Sequence, residues 1–483
     1  MPTRTLKWTA ILLLAALLLV LAWSAFMARR GPPLELWHTF EPHELSAAQI
    51  DKADWAQYLA AEAKAFDEVR SEVTDKLPPE ARVNSNRYFA DSPIYPGRFA
   101  QDWNRSYVLM PAGTPVGAVV LLHGLTDSPY SLRHIARRYV EDGFVAVAAR
   151  MPGHGTVPAG LAAVEWEQWT AATRLAVRHA RQLAGPDAPL HLVGFSNGGA
   201  LAMKYALEAL DDTALARPAR IVLFSPMIGI TSMARFAGVL GWPAYFPAFA
   251  SAAWLGIVPE FNPFKFNSFP VNGARQSSLV ARQLQAQIAS HADDGRLAEL
   301  APVLTFQSVV DFTVSTRAIV DALYARLPAN GSELVLFDLN RHAMFGPLLR
   351  RSTDTVLARL LPEAPRSFRT TVITNESPRS PEVVERVTEA GATSEQVRAL
   401  GLSYPRDVFS LSHLALPFPL SDSLYGMEPE SDEDFGVHLG AMATRGERGT
   451  LIITLDSLAR MSSNPFFPYL MERVEEGIGS SAK

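Results

Sequence analysis

Cysteine is absent from this chain. Its absence excludes disulfides, thiolate metal sites and cysteine nucleophiles together, and it leaves the redox compartment undecided. A surplus of one charge is also missing, since 44 Lys and Arg stand against 49 Asp and Glu for a net charge of −5. A balance so close to neutral carries no electrostatic footprint for nucleic acid, and no such partner is expected. No internal repeat or low-complexity tract interrupts the 483 residues. What the chain has in quantity is apolar side chain, 48% of its residues. That is enough to bury a large core, in one catalytic domain with insertions or in two domains.

The beginning differs from everything after it. Residues 8–28 carry no charge, and residues 11–21 are almost purely aliphatic. As a helix such a run spans about 30 Å, the thickness of a bilayer core, so residues 1–30 are expected to form an N-terminal transmembrane anchor. A cleavable secretory signal, with Ala22-Trp23-Ser24 as its small-residue site, is the rival reading. Arg4 and Lys7 flank one end and Arg29 and Arg30 the other, so charge does not fix an orientation. On either reading the chain meets a membrane through this segment, and the catalytic part is expected outside the cytoplasm. Residues 31–84 are polar, with helical periodicity over 53–73, and read as a spacer.

The rest, residues 85–475, reads as one α/β domain. Continuous apolar runs at 118–122, 144–148, 190–194 and 221–224 alternate with helical stretches at 131–139, 166–183 and 198–210. Strands that are apolar on both faces, separated by helices, predict a mostly parallel sheet covered on both sides. Such sheets bind ligands beyond the carboxyl ends of their strands. After Ser225-Pro226 the rhythm breaks over about 227–300, a stretch carrying Trp242, Tyr245, Phe246, Phe249 and Trp254. An aromatic insertion at that place is expected to form a cap and an apolar acyl-binding wall. Alternation resumes with a strand at 303–310, a helix at 315–327 and a strand at 333–337, and further strands are expected at 370–374, 408–411 and 451–455.

The chemistry starts at Gly194-Phe195-Ser196-Asn197-Gly198, between the run 190–193 and a helix-forming stretch. A serine on so tight a strand-to-helix turn is held with its hydroxyl exposed, and the flanking glycines let the backbone turn without clash. A serine hydroxyl is a weak nucleophile at neutral pH, so it needs a histidine to take its proton and a carboxylate to orient that histidine. Acyl transfer also needs backbone N–H donors for the developing oxyanion. The candidate donors are the amides of Leu125, in the turn His123-Gly124-Leu125, and of Asn197, directly after the serine. Asp311, at the end of the 303–310 run, is the candidate acid, with Asp338 as competitor. His123 and His154 read as braces between loops. For the base two candidates stand, His342 after the strand at 333–337 and His413 after the run at 408–411. Spacing alone slightly favours His342. No cofactor and no metal are called for.

At this point the chain resembles the α/β-hydrolase superfamily, in particular its serine esterase and monoacylglycerol-lipase-like branch. His123-Gly124, the Ser196 pentapeptide, Asp311 and a late histidine carry the resemblance, in the order Ser, Asp, His. Membrane-anchored relatives carry a polar residue, then His, apolar residues, Pro-Phe and a later Tyr-Gly, which matches Ser412-His413-Leu414-Ala415-Leu416-Pro417-Phe418 and Tyr425-Gly426. The resemblance therefore implies His413 as the base. It implies an α/β-hydrolase fold with an inserted cap and ester hydrolysis through an acyl-enzyme. The expected substrates are small-molecule or lipid esters such as monoacylglycerols or lysophospholipids. Acyl transfer or peptide cleavage on the same triad, and a non-catalytic binding module, are the alternatives.

Overall fold

The computed structural model describes residues 3–229, 247–353, 355–430, 433–443, 445 and 450–481. Its centre is a ten-stranded sheet of β1 (Tyr107–Leu109), β2 (Gly117–Leu122), β3 (Phe144–Ala149), β4 (Leu190–Phe195), β5 (Arg220–Phe224), β8 (Val303–Ser308), β9 (Glu333–Phe337), β10 (Arg369–Asn375), β11 (Glu382–Thr388) and β12 (Gln396–Ser403). A separate two-stranded piece pairs β6 (Trp254–Gly256) with β7 (Phe269–Pro270). The sheet order is β1-β3-β2-β4-β5-β8-β9-β10-β11-β12. From β3 through β10 every pairing is parallel. β1 at one edge and β11 and β12 at the other run antiparallel.

The burial pattern explains this layout. β2, β3, β4, β8 and β9 are buried at every residue, so both faces need cover. The crossover helices Arg133–Glu141, Trp166–Ala184 and Asn197–Asp211 supply much of it. The helix at 166–184 starts on a capping box between Glu165 and Gln168 and ends at Gly185, whose φ of 92° suits only glycine well. Chain order reverses at β2, which has β3 on one side and β4 on the other. A cleft therefore opens beyond the carboxyl ends of β2 and β4, where the connections leave in opposite directions.

Three expectations need correction. The apolar run at the start does form a helix, Thr3–Arg30, but its span includes the four basic residues Arg4, Lys7, Arg29 and Arg30. Its Leu17 and Leu21 are half-buried, and the helix packs against residues 247–253 of the same chain. Among the described residues no helix is long and apolar enough to cross a membrane. The expected transmembrane anchor is thereby overturned, and the extracytoplasmic placement that depended on it loses its basis.

Second, residues 31–84 are folded onto the body. Ile50 is fully buried, the Trp55 ring stacks on His179 at 4.8 Å, and Arg150 at the end of β3 is clamped by Glu44 at 2.7 Å and Glu62 at 3.1 Å. Polar composition hid this contact because two of the carboxylates here, Glu44 and Glu62, are spent on one buried guanidinium. Third, 408–411 and 451–455 are not strands. The carbonyls of Val408 and Phe409 accept from Asn340 instead of from a strand neighbour. Trp242, Tyr245 and Phe246 of the aromatic insertion lie outside the described residues.

Candidate active site

Ser196 follows β4 with φ 53° and ψ −114°, a conformation unfavourable for any residue with a side chain. Such strain costs on the order of 1–3 kcal/mol and persists only where the surroundings enforce it. Here the Ser196 amide donates to Phe224 O and its carbonyl accepts from Met227, both at 2.9 Å. The flanking glycines are required by contact, not by φ. A Cβ on Gly198 would drive into the Leu122 carbonyl, and one on Gly194 would meet the backbone of Gly198 and Gly199. The bend thus fits against the end of β2 only because both positions lack a side chain.

The turn after β2 closes over the serine. A Cβ on Gly124 would come within 3.3 Å of the Ser196 Cβ. Among the described residues the amides of Leu125 and Asn197 donate to no protein acceptor, so these two N–H groups remain unspent. The turn is braced by His123, whose Nδ1 bonds Gly124 O at 2.9 Å while its Nε2 accepts the Met151 amide at 3.0 Å. Burial pushes this imidazole down to about 3, so it stays neutral. His154 packs edge-on against it at 5.0 Å.

Asp311 lies just past β8. Its Oδ1 accepts the amides of Thr313 at 2.7 Å and Val314 at 3.0 Å. Its Oδ2 accepts His413 Nδ1 at 2.8 Å and Gln307 Nε2 at 3.2 Å. Burial works against ionisation, but the His413 charge and hydrogen bond, with the two amides, outweigh it and hold the carboxyl below its ordinary value. With Nδ1 committed as donor, the Nε2 lone pair of His413 remains available as a proton acceptor.

Ser196 and His413 line one cavity of about 640 Å³. Its wall is largely apolar, with Leu255, Val258, Phe261, Phe266 and Phe269 from the insertion and Ile453 from the late chain. No Asp or Glu lines it among the described residues.

His342 is not among the residues lining this cavity, and its Nδ1 accepts the Met344 amide at 3.3 Å. Asp338 is held by Arg341 at 2.8 and 2.9 Å and by Thr374, with no histidine partner among the described residues. Sequence reasoning missed Gln307, Lys265 and Arg460. Lys265 had a signal, as the one basic residue in the aromatic run 259–270. Arg460 had none.

A parallel sheet with its order reversed beside β2, a strained serine at the end of the next strand and a histidine-aspartate pair at the same edge define an α/β-hydrolase fold. A family model described as "Serine aminopeptidase, S33" matches residues 113–347. A thermostable monoacylglycerol lipase from a Bacillus species is 30% identical over 92 residues, covering 19% of this chain and 35% of that protein. The chain thus spans about a third of the length of that curated relative. Solved structures of similar fold include the Paleococcus ferrophilus monoacylglycerol lipase, 18% identical with a TM-score of 0.36 over 53% of this chain and 99% of that one. Another is a soluble variant of the Saccharomyces cerevisiae monoglyceride lipase, 14% identical with a TM-score of 0.36 over 48% and 81%.

Proposed function

We propose that the protein is a serine hydrolase of carboxylic esters with apolar acyl chains. The carrying observation is the 2.8 Å hydrogen bond to Asp311 from His413, which lines the same apolar cavity as Ser196. In this reading Ser196 Oγ attacks the ester carbonyl, His413 Nε2 takes the hydroxyl proton, and Asp311 fixes the tautomer and balances the imidazolium. The amides of Leu125 and Asn197 receive the oxyanion. The C–O bond to the alcohol breaks as His413 returns its proton to the leaving oxygen. Water then repeats the sequence on the acyl-enzyme, with its proton again passing through His413, and releases the acid.

The wall supplied by Leu255, Val258, Phe261, Phe266 and Phe269 supports an acyl chain as the bound group and a cap role for about 227–300. The names of the monoacylglycerol lipase relatives agree with esters of lipid-like alcohols. Aminopeptidase chemistry fits this cavity less well, because a free α-ammonium calls for an anionic partner and no carboxylate lines the site among the described residues. Labelling with a fluorophosphonate probe tests the reading. The parent is expected to label once per chain and Ser196→Ala not at all; equal labelling of the two would remove Ser196 from the chemistry.

A further inference from the structure

Among the described residues the cavity is largely apolar and lined by no carboxylate, yet Lys265 and Arg460 line it. They are tied to different segments of its lining. Lys265 Nζ donates to Thr126 Oγ1 at 2.7 Å and lies 3.4 Å from Leu125 O, so it is tied to the turn that follows β2. Arg460 is tied to the segments that carry Asp311 and His413. Its Nη2 donates to Thr313 Oγ1 at 2.6 Å, two residues beyond Asp311, and its carbonyl accepts the Ser412 hydroxyl at 2.7 Å, one residue before His413.

The two charges are not equally compensated. Lys265 is half-buried, and desolvation pushes its ammonium below the ordinary lysine range. Asp127 and Glu260 oppose that shift, while Arg460 adds repulsion. Arg460 pairs with no carboxylate among the described residues; Thr313 and, at 5.9 Å, the Phe312 ring are its side-chain neighbours. A guanidinium has five N–H donors in a planar fork that matches phosphate and carboxylate, and most of this fork is uncommitted at the edge of a binding cavity.

Position assigns the end of the substrate it faces. A histidine that protonates the leaving oxygen has the alcohol on its own side, and Arg460 is anchored beside that histidine. Most of the apolar wall comes from the 255–269 segment instead, with Leu414, Ile452, Ile453 and Met461 in the smaller share. The geometry points to esters whose leaving alcohol carries an anionic group, a phosphoryl or carboxyl, held by Arg460, as the preferred substrates. This rests on the esterase reading above and narrows its substrate class.

The test compares three esters of one chain length: decanoylglycerol, decanoylglycerol phosphate and decanoyl glycerate. The parent is expected to favour the two anionic esters in kcat/KM by about 10-fold or more, the scale of one charge-assisted contact. The phosphate and glycerate arms separate the two anions. Arg460→Met is expected to bring the anionic-to-neutral ratio close to unity, and Arg460→Lys to keep part of it. In the parent alone, added salt should erode the ratio, a readout that does not depend on how any variant folds. A parent ratio near unity, a ratio insensitive to salt, or one that survives in Arg460→Met overturns the inference. If Ser196 labels and only decanoylglycerol is cleaved, this inference fails while the esterase reading stands. If Ser196 does not label and no ester is cleaved, both fail.

Discussion

The two sides of the candidate site are built by different means. Ser196, Leu125 and Asn197 sit at the ends of β2 and β4, neighbours in the parallel sheet that are buried at every residue. His413 sits on irregular chain that returns to the sheet edge only after the antiparallel strands β11 and β12. Side-chain and backbone hydrogen bonds outside any ladder fix it there. Asn340 takes the carbonyls of Val408 and Phe409, Ser412 Oγ donates to Arg460 O, and Asn464 takes those of Leu416 and Phe418. One side is positioned by a repeating ladder, the other by polar contacts scattered over a long stretch of sequence.

Breaking the second side at its His413–Asp311 link should have the largest effect. Asp311→Asn keeps the shape but lets the His413 imidazole adopt the wrong tautomer, and kcat for a p-nitrophenyl ester is expected to fall on the order of 10³-fold or more. Unchanged kcat would detach Asp311 from the histidine's function. On the parallel side, stability should respond more than rate. Glu62→Ala removes one carboxylate from the buried Arg150, and breaking such a pair costs about 3 kcal/mol, read as a lowered midpoint in urea unfolding. A midpoint equal to the parent's would mean that residues 31–84 do not stabilise the body.

A smaller, graded effect is pH dependence. Burial pushes His123 and His191 each down to about 3, below the 6.5 of an exposed imidazole. The unfolded chain therefore binds protons that the folded chain refuses, and stability falls as pH drops from about 6.5 toward 3. The loss between pH 7 and pH 6 is roughly 0.7 kcal/mol per histidine, visible as a declining melting temperature. A flat profile down to pH 5 would contradict the buried, neutral assignment.

The contrast between the two sides also explains what was legible in the sequence. β2, β4 and β9 lie within a residue or so of their expected runs, because strands apolar on both faces have few other readings. The bend at Ser196 announced itself through Gly194 and Gly198, each of which has backbone where a Cβ would go. β11 and β12 were not foreseen: β12 is mostly exposed and includes Arg398, so no apolar run marks it. Spacing favoured His342, since the chain between Asp311 and His413 contains three strands that a minimal plan does not need. The pattern around Ser412-His413 pointed the other way, and the structure pairs His413 with Asp311 while His342 turns to the Met344 amide. The role of residues 31–84 was hidden because a buried carboxylate such as Glu62 looks like a solvated one until its arginine is located.

The most direct test of the account is the kcat/KM of His413→Ala against His342→Ala on one p-nitrophenyl ester. A fall of about 10³-fold or more in His413→Ala, with His342→Ala within about twofold of the parent, is the expected result. Full activity in His413→Ala together with its loss in His342→Ala would contradict the site described above.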